Sequence, residues 1–505
     1  MPARVLFLAF DSMSASLTEK WCDERRLPTF AALRNRARAY RVSTYMDSLP
    51  GSIWTDIPTG RGPSVHGNYF TPRQYFTCEG RVRRIEESDF DPNLYLWADC
   101  HSAGLRCAVI DVPFLVFKDD FNGVQIRDLA THDVLYGFRV EPEDQLGDLL
   151  QRFGPVPVHD IMCDAFEAKH GTARLHEGLL KRAEIKTRLL EELLAEDWDL
   201  FYAVYGESHC AAHYHWPDPA VGGNAAGFER LVEIYAKMDE GLSRVLAAAG
   251  PDTRVMVTMS HGVGPKLGGP QLLPEVLTRL GLSAGKDPLM RRNLRTALLS
   301  RAHRLPVSIR KPLRELAGGV TGRLERMLGR NLQSIESSDC QAAALWNNRC
   351  GAVRFNVKGR DPNGTVAPEN LPAVRERLTD ALFALQDPNI SEPIVTAVDR
   401  VEELFPEPRH PDLPDLTIRF RTDLGPLDHC VSDAVGLVHV PIGQPGYMRT
   451  GDHTPDNRTY VVAPGYSPGR TDGGSVLDIA PTVLELCGVA VPAGMSGRPL
   501  AGAGT

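Results

Sequence analysis

The sequence lacks a long apolar run at its amino terminus. The opening stretch, "MPARVLFLAFDSM", holds an uninterrupted apolar run of only six residues. That run is too short for a secretory signal, and a membrane-spanning helix needs about 20 residues. We therefore predict a first β-strand here, no membrane span, and a cytoplasmic protein.

Paired cysteines and a strong excess of one charge are also missing. The ten cysteines are scattered singly, with no CxxC pair and no compact framework. This pattern predicts free thiols in a reducing compartment.

The formal net charge of −8 gives no overall attraction to nucleic acid. No specific nucleic-acid partner is indicated, so partners must be inferred from local sites.

Short apolar runs alternate with helical patterns along the chain. Four such runs, each followed by a polar or Gly-rich turn, are "RVLFLAF" before Asp11, "RCAVIDVP" around Asp111, "DLFYAVYG" before Glu207 and "RVMVTMS" before His261. Near-continuous apolar strands between helices predict an α/β fold with a doubly wound, mostly parallel sheet covered by helices on both faces. In such sheets, ligands bind at the carboxyl ends of the strands.

One segment stands out by its charge. Residues 286–330 contain 12 Lys and Arg against three acids, which favours a solvated helical insertion over a patch for anionic substrate or membrane. We predict a catalytic core from 1–265 and 400–505, with an Arg-rich helical insertion at 266–345. A small α+β element at 346–399 would pack on the core.

The stretch "YGESHCAAHYHWP" places three histidines within seven positions. His209 and His213 are spaced i, i+4, which on a helical turn puts both imidazoles on one face, where they could bind one cation. Taken alone, such a pair is more often hydrogen-bonded than metal-bound. We expect His215 to lie at the surface.

Further metal-competent side chains lie next to the ends of other predicted strands. Asp11 follows "VLFLAF", His261 follows "VMVTMS", and His453 lies in "TGDHTPD" before "TYVVAPG". Neutral imidazole and carboxylate together suit zinc or a similar divalent ion. The residues therefore predict a metal site at one edge of the sheet, where Ser residues in "DSLPGSIWTDIPTG" precede a helix that could stabilise an anionic ester.

Several motifs, in this order, resemble those of the alkaline phosphatase superfamily and its type I phosphodiesterase/nucleotide pyrophosphatase branch. Asp11 resembles the first metal-binding Asp, "TGRGPSVHG" the TGxxPxxHG box, "GESHCAAH" the EPDxxGH box, "SHGVGP" the DHG box, and "GDHTPDNRTYVVAPG" the final His box. "VRFNVKGRDPNGTV" and the carboxyl-terminal "LDIAPTVLELCG" extend the resemblance over nearly the whole chain.

The resemblance implies the metal ligands. His209, His213 and His453 would hold one ion, while Asp11, His261 and the nucleophile would hold the other. His66 is expected to shape a loop.

Two substitutions depart from the pattern. His209 replaces an Asp, and Ser260 replaces the Asp of the DHG box. The second ion would then bind weakly or recruit Glu207, Asp452 or water. The loss of two carboxylates would also make the site more positive and favour a more anionic substrate or a different metal preference.

The register of the nucleophile is ambiguous. The resemblance places it nine residues before Thr59, at Pro50, which has no hydroxyl. We favour Ser52, next to the first helical turn, and keep Ser48 as the alternative because it retains a hydroxyl-x-Pro pattern.

Together these features predict a hydrolase of phosphate monoesters or diesters that acts through a phosphoserine intermediate. It would use one or two divalent ions, zinc first, with manganese or iron as alternatives, and a small anionic ester as substrate. A sulfatase, a phosphotransferase or a noncatalytic metal-binding protein are the alternatives. The oligomeric state stays open, a dimer included.

Overall fold

The first apolar run forms a central strand of the fold. In a computed structural model of the chain, β1 (Val5–Phe10) is buried along its whole length. Leu6 and Leu8 pack into one apolar core, whereas Phe7 and Ala9 pack into another. Since alternate side chains of a strand point to opposite faces, a strand buried on both sides requires a layer of helices on each face.

The structure describes part of the chain. The described residues are 4–69, 75–76, 82–83, 85–131, 136–143, 152–153, 163–218, 222–283, 340–347, 349–405, 408–439 and 449–502. The Arg-rich segment 286–330 lies outside them.

Strands and helices follow one another along these residues. The other strands are β2 (Arg38–Ser43), β3 (Tyr75–Phe76), β4 (Val82–Arg83), β5 (Cys107–Ile110), β6 (Gly123–Arg127), β7 (Arg139–Glu141), β8 (Leu200–Tyr205), β9 (Arg254–Met259), β10 (Gly262–Pro265), β11 (Ala342–Trp346), β12 (Cys350–Phe355), β13 (Gln386–Asp387), β14 (Glu392–Pro393), β15 (Val395–Arg400), β16 (Leu416–Phe420), β17 (His429–Ser432), β18 (Gly436–His439), β19 (Gly451–Thr454), β20 (Arg458–Val462) and β21 (Gly469–Ser475). The α-helices are α1 (Ala15–Asp23), α2 (Pro28–Arg36), α3 (Ile53–Thr59), α4 (Pro63–His66), α5 (Leu96–Ser102), α6 (Cys163–His170), α7 (Thr172–Leu193), α8 (Glu207–His215), α9 (Ala225–Ala249), α10 (Leu273–Arg279), α11 (Leu371–Phe383), α12 (Val401–Leu404) and α13 (Ile479–Cys487).

A nine-stranded sheet organises the larger part of the fold, in the order β21-β2-β20-β9-β1-β8-β5-β6-β7. The four predicted strands β1, β5, β8 and β9 are neighbours in it and pair in parallel. Antiparallel pairings join β20 to its neighbours and β7 to β6. The prediction of a mostly parallel sheet is confirmed.

Helices cover both faces of this sheet. One core contains residues of α1, α2, α7 and α9, and the other contains residues of α3, α5 and α13. The helix α7 buries one long face, including Leu175, Leu179 and Leu190. The two layers leave the carboxyl ends of β1, β8 and β9 at one edge, where their following turns meet.

Two smaller antiparallel sheets are formed by strands that lie between Ala342 and His439. One has the order β11-β12-β16-β15 and the other β14-β13-β17-β18. They share a third apolar core with α10 and α11. The sequence-based boundary at residue 400 divides the first of these sheets, because β15 and β16 pair across it.

A disulfide corrects the prediction that all thiols are free. Cys163 at the start of α6 is bonded to Cys210 in α8, and seven further described cysteines are free and buried. Sequence spacing could not reveal the pair, since 47 positions separate the two residues. Among the described residues, no helix is both long and apolar enough to cross a bilayer.

Candidate metal centre

A helix that follows a buried strand presents two histidines on one face. The strand β8 ends at Tyr205 and α8 begins at Glu207, so the first turn of the helix lies at the carboxyl edge of the sheet. His209 and His213 lie on the same side of the helix because of their i, i+4 spacing. Their Nε2 atoms are 3.1 Å apart, close enough to share one cation.

The pairing of two short strands brings a third histidine to this pair. β19 lies antiparallel to β10 with His453 opposite Val263, and His453 Nε2 lies 3.0 Å from His209 Nε2. A Cβ on Gly451, at the start of β19, would lie 2.6 Å from the backbone oxygen of Ala212 in α8. Glycine therefore allows the strand to approach the helix.

Hydrogen bonds orient two of the three imidazoles. His213 Nδ1 lies 2.8 Å from the carbonyl oxygen of Gly451, which can only accept, so this nitrogen carries the proton. His209 Nδ1 lies 2.6 Å from Asp11 Oδ2 and donates to that carboxylate. The Nε2 lone pairs of both residues consequently face the shared space. We call His209, His213 and His453 the three-histidine group.

The geometry of this group fits a divalent ion. Tetrahedral zinc with Zn–N bonds of about 2.0–2.1 Å separates its ligand nitrogens by about 3.4 Å, near the 3.0 and 3.1 Å found here. One of these nitrogens, His213 Nε2, also lies 3.0 Å from Arg449 Nη1. These three residues could therefore hold a metal ion.

A second group overlaps the first. Asp11, His209 and His261 also bring one possible ligand atom each into a common region, and we call them the Asp11 group. The Asp11 carboxylate accepts from Trp54 Nε1 at 2.9 Å through Oδ1 and from His209 through Oδ2. Its Oδ1 lies 3.8 Å from His261 Nε2. Both carboxylate oxygens thus already accept hydrogen bonds from the protein.

Two serines flank His261. Ser260 Oγ donates to the backbone oxygen of Phe10 at 3.4 Å and lies 2.9 Å from His261 Nδ1. Ser12 Oγ lies 2.6 Å from His261 Nε2 and follows Asp11 in a left-handed turn, with a φ of 53°. Ser260 then accepts from Nδ1, and Ser12 donates to Nε2.

Burial favours the neutral form of two site imidazoles, those of His261 and His453. It lowers the pKa of His261 to about 4, against the opposing effect of Asp11. Burial, followed by the nearby His261 and His209, also holds the pKa of His453 well below its usual value. Burial raises the pKa of Asp11, but His209 and His261 outweigh it and leave that pKa lowered. Neutral imidazole and ionised carboxylate are the forms that bind a cation.

Two arginines stand beside the histidines. Arg349 donates from Nη1 to the backbone oxygen of His453 at 2.9 Å and from Nε to Asp47 at 3.0 Å. Arg449 Nη1 lies 3.0 Å from His213 Nε2. Each guanidinium group is paired with a carboxylate, Arg349 with Asp47 and Arg449 with Asp164.

The other predicted ligands lie apart from both groups. Glu207 is fully buried, and its Oε1 lies 3.6 Å from Lys186 Nζ and 3.5 Å from Arg182 Nε. Lys186 also contacts Asp111 at 2.7 Å. Asp452 Oδ2 accepts from the backbone of Leu267 at 2.7 Å. Within the described residues, neither Glu207 nor Asp452 joins a metal-competent group.

The two serine candidates differ in their surroundings. Ser52 is 1% exposed, and its hydroxyl lies 2.6 Å from Asp56 Oδ2 and 3.0 Å from the backbone oxygen of Leu49. Ser48 is half-buried and makes a long contact of 3.4 Å with the backbone oxygen of Tyr45. Among the described residues, neither hydroxyl bonds to a histidine of the two groups.

Two histidines outside the centre occupy different places from those expected. His215 is 1% exposed and packs against His176, with ring centroids 5.4 Å apart, so the prediction of a surface position is wrong. His66 ends the helix α4 instead of lying in a loop, and its Nε2 lies 3.0 Å from Asp56 Oδ1.

Sequence reasoning missed several side chains at the centre: Ser12, Trp54 as a donor to Asp11, Arg349, Arg449 and Asp164. Ser12 carries a usable signal, because it directly follows a strand-end carboxylate. Arg349 carries none, because it lies outside the motifs. Arg449 directly precedes "TGDHTPD", but nothing in that pattern indicates a contact with His213.

Comparison with known proteins supports the fold. No protein-family model and no curated protein sequence matches the chain. The structure of the alkaline phosphatase PafA aligns with 99% of this chain and 98% of its own, at 14% identity and a TM-score of 0.54. Structures of a phosphonoacetate hydrolase from Sinorhizobium meliloti 1021 and of murine ectonucleotide pyrophosphatase/phosphodiesterase 5 each cover 97% of this chain and 96% of their own, at 13% and 11% identity, with TM-scores of 0.48. The PafA alignment carries the assignment, and the chain has the alkaline phosphatase fold that the resemblance implied.

Proposed function

We propose that this alkaline phosphatase-like chain is a metal-dependent hydrolase of phosphate esters that binds one divalent ion through the three-histidine group. The observation that carries the proposal is the convergence of three Nε2 atoms at the carboxyl edge of the sheet. Those of His213 and His453 lie 3.1 and 3.0 Å from that of His209. Imidazole ligands favour zinc or iron over manganese, which prefers oxygen ligands.

The hydrogen bonds of Asp11 and His261 are more compatible with one bound ion than with two. The carboxylate of Asp11 accepts from both Trp54 and His209, and His261 is bonded to a serine at each nitrogen. In this proposal Asp11 acts on the ion through His209, because a carboxylate behind a ligand histidine fixes the ring and raises its basicity.

A divalent ion at this position supplies Lewis-acid polarisation of a phosphoryl oxygen. The chain's own residues orient the reactants around it. Asp11 and Gly451 hold the rings of His209 and His213, and burial keeps solvent from the histidines. A serine hydroxyl would attack phosphorus and release the alcohol, and water would then hydrolyse the phosphoserine.

The nucleophile remains a choice between Ser48 and Ser52, and three contacts favour Ser48. The Ser52 hydroxyl is buried against Asp56. Ser48 follows Asp47, which pairs with Arg349, and Arg349 contacts the backbone of His453. Those contacts link the segment that contains Ser48 to the backbone of His453 through Arg349, and the Ser48 hydroxyl makes only a long contact of 3.4 Å with Tyr45.

The test combines metal content with turnover. We expect purified protein to hold about one zinc or iron per chain and to release nitrophenol from mono- or bis-nitrophenyl phosphate. Ser48→Ala should abolish turnover by at least about a thousandfold while metal is retained, whereas Ser52→Ala should keep most of it. Loss of turnover in Ser52→Ala alone would assign the nucleophile to Ser52.

Two results would refute the proposal. Full metal occupancy without turnover of any phosphate ester would exclude phosphoester hydrolysis. Turnover of nitrophenyl sulfate well above that of the phosphates would instead assign a sulfatase activity.

A further inference from the structure

A disulfide joins a surface helix to the helix that carries two members of the three-histidine group. Cys163, the first residue of α6, is bonded to Cys210, which lies in α8 between His209 and His213. All nine residues of α8 are buried, and Cys163 and Cys210 are 1% and 0% exposed. The bond therefore holds the same turn of α8 that presents both imidazoles.

The helix on the other side of this bond is less firmly packed. Apart from Cys163, the described side chains of α6 are half-buried or exposed, and the helix has eight residues. A helix this short is not stable by itself in water. Asp164 adds polar attachments, because it accepts from Tyr214 of α8 and from Arg449. A segment with few buried side chains opens at low free energy, which would bring the sulfur of Cys163 within reach of solvent.

The other described cysteines carry free thiols. All seven of them are buried, and the thiol of Cys100 in α5 hydrogen-bonds with those of Cys107 and Cys487 without forming a disulfide. Proteins of oxidising compartments pair their cysteines, whereas disulfides formed in a reducing compartment are transient, catalytic or redox-sensing. A disulfide at the metal-binding helix of a chain with seven free thiols fits the second class.

Resting on the proposed function, we propose that Cys163 and Cys210 form a redox site that a dithiol reductant opens, and that the state of the bond sets how firmly α8 holds the metal ion. A thiolate of the reductant attacks the sulfur of Cys163 and displaces that of Cys210, which takes up a proton. The second thiol of the reductant then attacks the mixed disulfide and releases Cys163 as a thiol. Two electrons pass to the protein, and the reductant leaves as a disulfide.

Opening the bond acts on the metal centre through α8. In the disulfide form, Cys210 fixes α8 between its two ligands, and Asp164, next to Cys163, accepts two hydrogen bonds from Arg449 at 2.9 and 2.5 Å. Arg449 Nη1 in turn lies 3.0 Å from His213 Nε2. The dithiol form keeps these groups but loses the covalent link that holds α6 against α8, so the histidines are less well ordered for zinc.

The experiment uses the full chain, treated under native conditions with dithiothreitol that is then removed by gel filtration without air. Alkylation in denaturant, read by mass spectrometry, should show two more modified cysteines than in untreated protein. Zinc affinity, measured by competition with a chromophoric chelator, should fall by about tenfold, which is typical of losing a group that orients a metal ligand. Amide hydrogen exchange in α6 and α8 should accelerate by about tenfold or more. Oxidised glutathione should reverse all three changes.

Cys163→Ser removes the bond without changing α8. We expect it to match the reduced wild type in zinc affinity and hydrogen exchange, and to be insensitive to dithiothreitol. Cys100→Ser is the matched control, because Cys100 is also fully buried and contacts other thiols, but it lies in the apolar core on the opposite face of the sheet. This variant should respond to dithiothreitol as the wild type does.

Either of two results would overturn the proposal: a bond that resists dithiothreitol in the native protein, or a reduced protein whose zinc affinity and exchange rates stay within twofold of the untreated protein. Both are measured on the wild type, so they apply even if Cys163→Ser fails to fold. Redox-dependent exchange of α8 in a protein without turnover would refute hydrolysis and leave the redox site intact. Turnover together with unchanged zinc affinity and exchange would do the reverse.

Discussion

The three-histidine group and the Asp11 group share His209 but use their polar atoms in different ways. In the first, the Nε2 atoms of His213 and His453 lie 3.1 and 3.0 Å from that of His209. In the second, the carboxylate of Asp11 and both nitrogens of His261 are hydrogen-bonded to the protein. In the function proposed above, the first group holds the ion and the second supports it.

The side chains at positions 209 and 260 account for much of this difference. A histidine at position 209 reaches toward His213 and His453 with one nitrogen and toward Asp11 with the other. A serine at position 260 bonds to His261 and adds no negative charge. His209 therefore adds a nitrogen to the three-histidine group, whereas Ser260 adds no carboxylate to the Asp11 group.

The largest expected effect comes from breaking the three-histidine group. His213→Ala removes one of three ligands and should weaken zinc binding by roughly a thousandfold, with turnover falling in parallel. His215→Gln, on the same helix and equally buried, is the control and should retain zinc. Metal analysis after dialysis against a weak chelator measures both, and equal zinc loss in the two variants would contradict the assignment.

A smaller effect is expected at Asp11. Asp11→Asn should weaken zinc binding by about ten- to a hundredfold through the loss of its support for His209. The stoichiometry at saturating zinc should stay at one ion per chain. If the wild type binds two ions and this variant one, Asp11 is itself a ligand and the one-ion description is wrong.

The weaker group can also be strengthened. Ser260→Asp places a carboxylate beside His261 and should raise the affinity for a second ion by about tenfold or more. Ser260→Asn, of the same size without charge, should leave the stoichiometry at one. Equilibrium dialysis with zinc compares the two, and identical uptake would show that position 260 does not limit the second site.

The last prediction concerns pH. Because burial lowers the pKa of His261 to about 4 from about 6.5 in an unfolded chain, the unfolded state binds a proton first as pH falls. Stability of the metal-free protein should therefore drop between pH 6.5 and 4, by at most about 1.4 kcal/mol per pH unit from this residue, and stay level above pH 6.5. Denaturant unfolding of His261→Gln should show a flatter profile, and an unchanged slope would contradict this.

Local patterns were enough for the fold. The runs before Asp11, Glu207 and His261 became β1, β8 and β9, because a strand buried on both faces must be apolar along its length. The same patterns placed His209 and His213 on one helical face. Local patterns could not predict the disulfide, because the bond between Cys163 and Cys210 depends on how α6 packs against α8.

Residues of the site could be predicted only where they lie at the end of a predicted strand or within a motif. Asp11, His261 and His453 are of this kind, and the structure brings them together with His209 and His213. The roles of Glu207 and Asp452 could not be read from the motifs, because their neighbours Lys186 and Leu267 come from other elements. Which serine attacks phosphorus stays a prediction.

The sequence by itself determined the doubly wound sheet and the set of metal-competent side chains, because periodicity and strand ends are local properties of a chain. Only the tertiary structure determined which nitrogen of each histidine faces the centre. It also brought Arg449, which is paired with Asp164, into contact with His213. A ring's orientation depends on the acceptor at its other nitrogen, and such acceptors, including Gly451 and Asp11, lie far along the chain from the rings they hold.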